Sequence, residues 1–245
     1  MIHHEHTRDV PYIRFSYNYS TKRLKHYYQR LLHNMFRTIS QIQFLDMKGK
    51  FISEGSEKKC YLHRTDPSKC IKISNKNNCS QTIREIKYFT SLPKNHKFSC
   101  IPTFYGAFTV TNFIGFEQEC YLSKEQGGIY DFSCFLEDYI LDLNNTENLI
   151  FNLLNQLKTE MLSQHIVCSD LHPWNILYVE KGTISKLVII DGFGTTELIP
   201  YYRYINFFAK QKINRQWSKL QRRLLPIFEK RNAIYTNKIR SNYPN

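Results

Sequence analysis

The chain reads as an α+β protein of two lobes, a small antiparallel sheet carrying one helix and then a mostly helical lobe. Three observations carry this expectation. Five short strand-like runs crowd residues 47–122 around a single stretch of helical apolar spacing. A polar stretch, 123–128, ends in Gly127-Gly128 and marks a hinge. Beyond it, apolar residues recur at helical spacing. A chain of 245 residues is long enough to bury a core in each lobe.

Residues 1–20 are polar and aromatic with no clear period and predict no element. Over 21–45, Leu24, Tyr28, Leu31, Met35, Ile39 and Ile42 form one apolar stripe with Lys and Arg elsewhere, which predicts an amphipathic helix. Residues 1–46 are thus expected to be an N-terminal extension, before a first lobe at 47–122 and a second at 123–245. Strands are expected at 47–53, 58–63 and 69–74. Between the first two lies Glu54-Gly55-Ser56-Glu57, a turn with one glycine. A helix is expected at 80–92, where Ile83, Ile86, Phe89 and Leu92 share a face. Two further strands, 104–110 and 113–122, are set to pair about Thr111-Asn112. After the hinge, 131–143 and 145–164 predict helices, the second turning Leu149, Leu153, Leu154, Leu157 and Met161 to a core. Residues 201–231 predict one or two amphipathic helices with a positive outer face.

The chemistry is concentrated in Val167-Cys168-Ser169-Asp170-Leu171-His172-Pro173-Trp174-Asn175-Ile176-Leu177 and in Leu187-Val188-Ile189-Ile190-Asp191-Gly192-Phe193-Gly194. Two acids and an amide, each beside a short apolar run, suit magnesium-dependent phosphoryl transfer. One acid takes the acceptor hydroxyl's proton, and the amide and the other acid hold metal. Pro173 keeps the loop from closing into a regular helix, and Gly192 and Gly194 let the chain turn after the second acid.

These motifs resemble the protein-kinase-like superfamily. The D-x-H-P-x-N form of Asp170–Asn175 is closer to small-molecule and sugar kinases than to protein kinases, and Asp191-Gly192-Phe193-Gly194 resembles the D-F-G metal site with a glycine inserted. More narrowly, residues from about 47 to 230 resemble the YrbL family, kinase-like proteins named for the PhoP regulatory network. The K-C-I-K-I, R-E-I-K-Y and T-T-E-L-I-P runs carry that likeness. The resemblance implies a two-lobed protein-kinase-like fold and the cofactors ATP and Mg²⁺. It implies Asp170 as base, Asn175 and Asp191 as metal ligands, Lys72 as the phosphate contact and Glu85 as its orienter. Glu85 is the only acidic residue between Lys72 and Thr103. Gly55 and Ser56 fall where a phosphate-covering loop belongs, with Lys58 and Lys59 as possible substitutes for its missing glycines.

Only 51 residues follow Gly194, with no A-P-E wording. This favours a small molecule, a sugar or a lipid-linked glycan as acceptor over a protein. The alternative is a non-catalytic nucleotide-binding regulatory module with a basic tail, suggested by the poor glycine loop and by Cys168-Ser169 before the acid.

Net charge is +13, and from Tyr201 onward eleven Lys and Arg face the single Glu229. The basicity therefore belongs to the C-terminal appendage, whose expected partner is an anionic membrane surface or polyanion. No specific nucleic-acid motif accompanies it. His3, His4 and His6 have no cysteine partners at metal-site spacing. The seven cysteines include no C-x-x-C pair and sit in apolar runs, as reduced thiols do. With a polar N-terminus and no apolar run of membrane-spanning length, this predicts a cytoplasmic protein, with peripheral attachment to the inner face of a membrane left open.

Overall fold

The computed structural model describes residues 35–93, 96–121, 135–136, 147–181, 184–194 and 206–242. The chain divides into two compact units, 1–90 with 104–118 and 91–103 with 119–245.

The first unit holds a six-stranded sheet. Its strands are β1 (Phe36–Thr38), β2 (Lys48–Glu54), β3 (Lys59–His63), β4 (Lys69–Asn75), β5 (Phe104–Val110) and β6 (Phe113–Glu119), in the spatial order β1-β5-β6-β4-β3-β2. Helix α1 (Gln41–Met47) precedes β2, and α2 (Ser80–Thr90) lies between β4 and β5. Strands β2 and β3, β3 and β4, and β5 and β6 pair antiparallel, whereas β1 pairs with β5 in parallel, so the sheet is mixed rather than wholly antiparallel.

The expected helix over 21–45 does not reach its predicted end. Met35 is helical, and the chain then turns into β1, pairing Phe36 with Ala107 and Thr38 with Thr109. A new helix starts at Ser40, whose hydroxyl accepts from the Gln43 N–H while the Gln43 side chain accepts from the Ser40 N–H. That reciprocal capping box satisfies two N–H groups that the first turn would otherwise leave bare. Ile39 and Phe44 then pack with Ile71, Ile73, Phe108 and Val110 in one buried cluster.

Pleat alternation assigns the two sides of β4. Ile71 and Ile73 enter that cluster, whereas the Ser74 hydroxyl bonds Thr82 of α2. Lys72 shares its side with Ser74 and so faces the side of the sheet that α2 covers. Gly115 on β6 is required by the close approach of β4, because a Cβ there would stand 2.6 Å from the Lys72 carbonyl oxygen.

The second unit contains α3 (Glu147–Ser163), a 3₁₀ turn (Pro173–Asn175), the antiparallel hairpin β7 (Ile176–Lys181) and β8 (Ile184–Ile189), and α4 (Asn206–Asn242). Leu153, Leu157 and Met161 are buried along α3, and Ile213, Trp217, Leu220 and Leu224 along α4. Lys158 lies 5.6 Å from the Trp217 ring, and Phe151 stacks on Phe228 at 5.7 Å. The basic C-terminal stretch is a single helix, running through an exposed Pro226.

The expected hinge at 123–128 and the T-T-E-L-I-P run lie outside the described residues, as does the expected helix at 131–143 apart from the helical Phe135 and Leu136. Among the described residues, no helix is long and apolar enough to cross a membrane. The six described cysteines are free, and all but Cys120 are buried.

Candidate phosphoryl-transfer site

In the second unit, apolar anchors hold the polar residues in place. Val167, Leu171, Ile176, Val188, Ile189 and Phe193 are all fully buried, so the polar residues between them are turned outward. The two loops are joined by backbone. The Ser169 N–H donates to the Gly192 carbonyl at 2.7 Å, the Ile190 N–H to the Asn175 carbonyl at 2.9 Å, and Cys168 forms an isolated bridge with Phe193. The Ser169 hydroxyl and the Cys168 thiol also donate to the Gly192 carbonyl. The loop bearing Asp170 and Asn175 therefore lies directly against the turn bearing Asp191.

The turn is tight. Gly192 and Gly194 adopt φ of 79° and 80°, a region that side chains disfavour. A Cβ on Gly192 would stand 2.7 Å from the Asp170 carbonyl oxygen, so glycine is what lets the turn lie against the Asp170 backbone. The Gly192 N–H donates to Asp191 Oδ1 at 2.6 Å and fixes that carboxylate. Asn175 uses its Nδ2 to donate to the Asp170 carbonyl at 3.0 Å, which points its Oδ1 away as an acceptor. The Asp170 side chain is 54% exposed.

Among the described residues no three His, Cys, Asp or Glu cluster as a self-sufficient metal cage. The Asp191 carboxylate and Asn175 Oδ1 fit Mg²⁺ instead, because that ion takes one or two protein oxygens and completes its shell with water and phosphate oxygens.

Two residues here escape the sequence reading. Arg223 of α4 donates from Nη1 to Asp170 Oδ1 at 3.2 Å and to the Leu171 carbonyl at 2.8 Å. No local signal announces it, since it lies 53 residues from Asp170. Trp174 is 60% exposed and stacks on His172, ring centroids 3.2 Å apart. Burial first, and then the Arg223 cation, hold the His172 imidazole below its ordinary pKa, partly offset by Asp170.

The first unit carries the remaining candidates. Lys72 is buried on β4, opposite Cys60 of β3. Glu85 is buried on α2, and its Oε2 accepts from Lys58 Nζ at 2.7 Å. Lys58 thus points inward to α2 rather than out over a phosphate loop. Lys59 pairs with Glu54 at 3.2 Å on the exposed side. Glu57 caps α2, its carboxylate accepting from the Gln81 and Thr82 N–H groups at 2.9 and 2.7 Å. An anion is favoured there by the unsatisfied N–H groups and the helix dipole. Gly55 closes a turn through its N–H to the Lys58 carbonyl, and the space a Cβ would take is open, its nearest neighbour 3.8 Å away. Ser56 is exposed beside it.

Residues 45–225 match the family described as "PhoP regulatory network protein YrbL". Two proteins each called "Uncharacterized protein YrbL", from Escherichia coli (strain K12) and Shigella flexneri, are 28% identical over 179 residues, covering 69% of this chain and 81% of theirs. Among solved structures, the kinase domain of Mycobacterium tuberculosis PknI, a double mutant, is similar at TM-score 0.45 and 8% identity over 59% of this chain. The chain spans 57% of that kinase domain.

Proposed function

The chain belongs to the family of the PhoP regulatory network protein YrbL, and from its candidate site we propose an ATP- and Mg²⁺-dependent phosphotransferase that acts on the hydroxyl of a small molecule, a sugar or a lipid-linked glycan. The observation that carries this reading is the joining of the Asp170–Asn175 loop to the Asp191–Gly192 turn. The join sets the loop that carries a half-exposed carboxylate and an amide against the turn that carries a second carboxylate, the residue types that phosphoryl transfer uses.

In this reading Asp170 accepts the proton of the acceptor hydroxyl as that oxygen attacks the terminal phosphorus. Asn175 Oδ1 and the Asp191 carboxylate hold the metal, which when bound neutralises charge on the phosphates. The family resemblance gives Lys72 the role of phosphate contact. In the same reading Glu85 orients Lys72, and Gly55 with Ser56 belongs to the phosphate-covering loop.

A non-catalytic nucleotide-binding regulator is the second reading. Two contacts favour it: Arg223 rests on the carboxylate that should act as base, and Lys58 rests on Glu85. Incubation with Mg-ATP, with and without candidate sugars and cell extract, separates the two. Release of ADP that Asp170→Asn abolishes supports the enzyme. Nucleotide binding without ADP release in any mixture supports the regulator.

A further inference from the structure

Helix α4 has an outward face that a packed helix does not need. Its inward side is a run of buried Ala209, Ile213, Trp217, Leu220 and Leu224. On the other side Phe208, Arg215, Lys219 and Arg222 follow one another at spacings of seven, four and three residues, which places them in one stripe along the helix. All four are exposed, and no acidic residue occurs between 206 and 228 to neutralise them. Phe207 is 67% and Leu225 55% exposed on the adjoining surface. Cations alone mark a solvated face. Cations interleaved with exposed aromatic and aliphatic side chains mark a helix that lies in the headgroup layer of a bilayer. Arg223, one position beyond the stripe, grips Asp170 and Leu171, and Trp174 is exposed on that same loop.

We propose that α4 and Trp174 form one docking face for an anionic lipid bilayer, holding Asp170 at the level of the lipid headgroups. This rests on the phosphotransferase reading and narrows it: the acceptor hydroxyl belongs to a headgroup or a lipid-linked sugar. Charge complementarity selects the anionic surface, and Phe207, Phe208, Leu225 and Trp174 distinguish a bilayer from a soluble polyanion, because only a bilayer offers an apolar layer to enter. The helix lies on the membrane, as no described helix can span it.

The chain has two tryptophans, Trp174 exposed and Trp217 buried, which makes the contact readable. The full-length protein is mixed with equimolar phosphatidylglycerol–phosphatidylcholine vesicles, with pure phosphatidylcholine vesicles, and with soluble polyphosphate, all without nucleotide. Binding should require phosphatidylglycerol and fall steeply with added salt. Each Lys or Arg near such a surface raises partitioning about five-fold, so Arg215→Gln/Lys219→Gln/Arg222→Gln should bind on the order of a hundredfold more weakly. Vesicles containing brominated lipid should quench tryptophan fluorescence in the parent, and Trp174→Phe should lose that quenching while still binding. Binding to polyphosphate but not to vesicles would overturn the proposal, as would vesicle binding that leaves Trp174 unquenched. A stabilisation by Mg-ATP, measured separately without lipid, reports on the nucleotide site whichever way the vesicle experiment falls.

Discussion

Lys58 and Glu85 offer a test whose magnitude follows from burial. Their side chains are 7% and 2% exposed and 2.7 Å apart. A pair taken this far from water gains little net stability, because desolvation offsets most of the attraction. Removing one partner is different, since breaking a buried ion pair costs about 3–5 kcal/mol. For a chain of this size each kcal/mol moves the melting temperature by roughly 2–4 °C, so Lys58→Met should melt about 6–20 °C below the parent. Far-UV circular dichroism or differential scanning fluorimetry reads this directly. An exposed pair contributes about 0–1 kcal/mol, so a fall of less than about 4 °C would refute the reasoning. The double variant Lys58→Met/Glu85→Gln removes both charges of the pair and should recover part of the loss. A double variant no more stable than Lys58→Met would show that Glu85 also holds a second cation, Lys72 on the facing side of β4 being the candidate.

Mg-ATP at about 100 times its Kd should stabilise the parent by about 2.7 kcal/mol, or very roughly 5–11 °C. Asp170→Asn should keep that shift and Asp191→Asn should lose most of it, whereas equal shifts in both would deny Asp191 its metal role. Gly192→Ala forces a side chain into φ 79° and against the Asp170 carbonyl, a strain of about 1–3 kcal/mol, while Gly55→Ala should stay within about 0.5 kcal/mol of the parent; thermal melts compare the two. The His172 imidazole should titrate below 6.5 by NMR. Its folded state resists the proton, so the stability linked to neutral His172 is present above the unfolded value of about 6.5 and lost as pH falls below it. Arg223→Gln should raise that midpoint and Asp170→Asn should lower it further. Burial pushes the Cys100 thiol up to about 12 and the Cys79 thiol to about 11, so neither should react with alkylating reagents at neutral pH until the chain unfolds.

What the sequence makes legible is what local pattern controls. The strand Phe104–Val110 falls at its expected bounds, because glycine, apolar alternation and the Thr111-Asn112 turn all act within a few residues. The Asp170, Asn175 and Asp191 motifs stand out for the same reason, each flanked by its own buried anchors. β1 is hidden because Leu24 to Ile42 carry a helical period straight through it, and the bonds that make it a strand come from β5, about seventy residues on. The restart of the helix was nonetheless visible, since Ser40 and Gln43 have the spacing of a capping box. The sequence reading puts Lys58 in the phosphate-covering loop and Arg223 in the basic tail, and neither placement gives the partner: a basic residue announces nothing about a carboxylate 27 or 53 residues away.

The adjacent residues Glu57 and Lys58 have a mechanical consequence. Glu57 seizes the first turn of α2 at Gln81 and Thr82, and Lys58 seizes Glu85 about one turn further along. Two grips at different heights resist both sliding and tilting, so the trailing half of the β2–β3 connection and the helix form a single lever. Only the short tip at Gly55 and Ser56 is left to bend independently. A force that draws this connection inward must carry α2 with it, and the amides of residues 57–58 should exchange with solvent in step with those at the start of the helix.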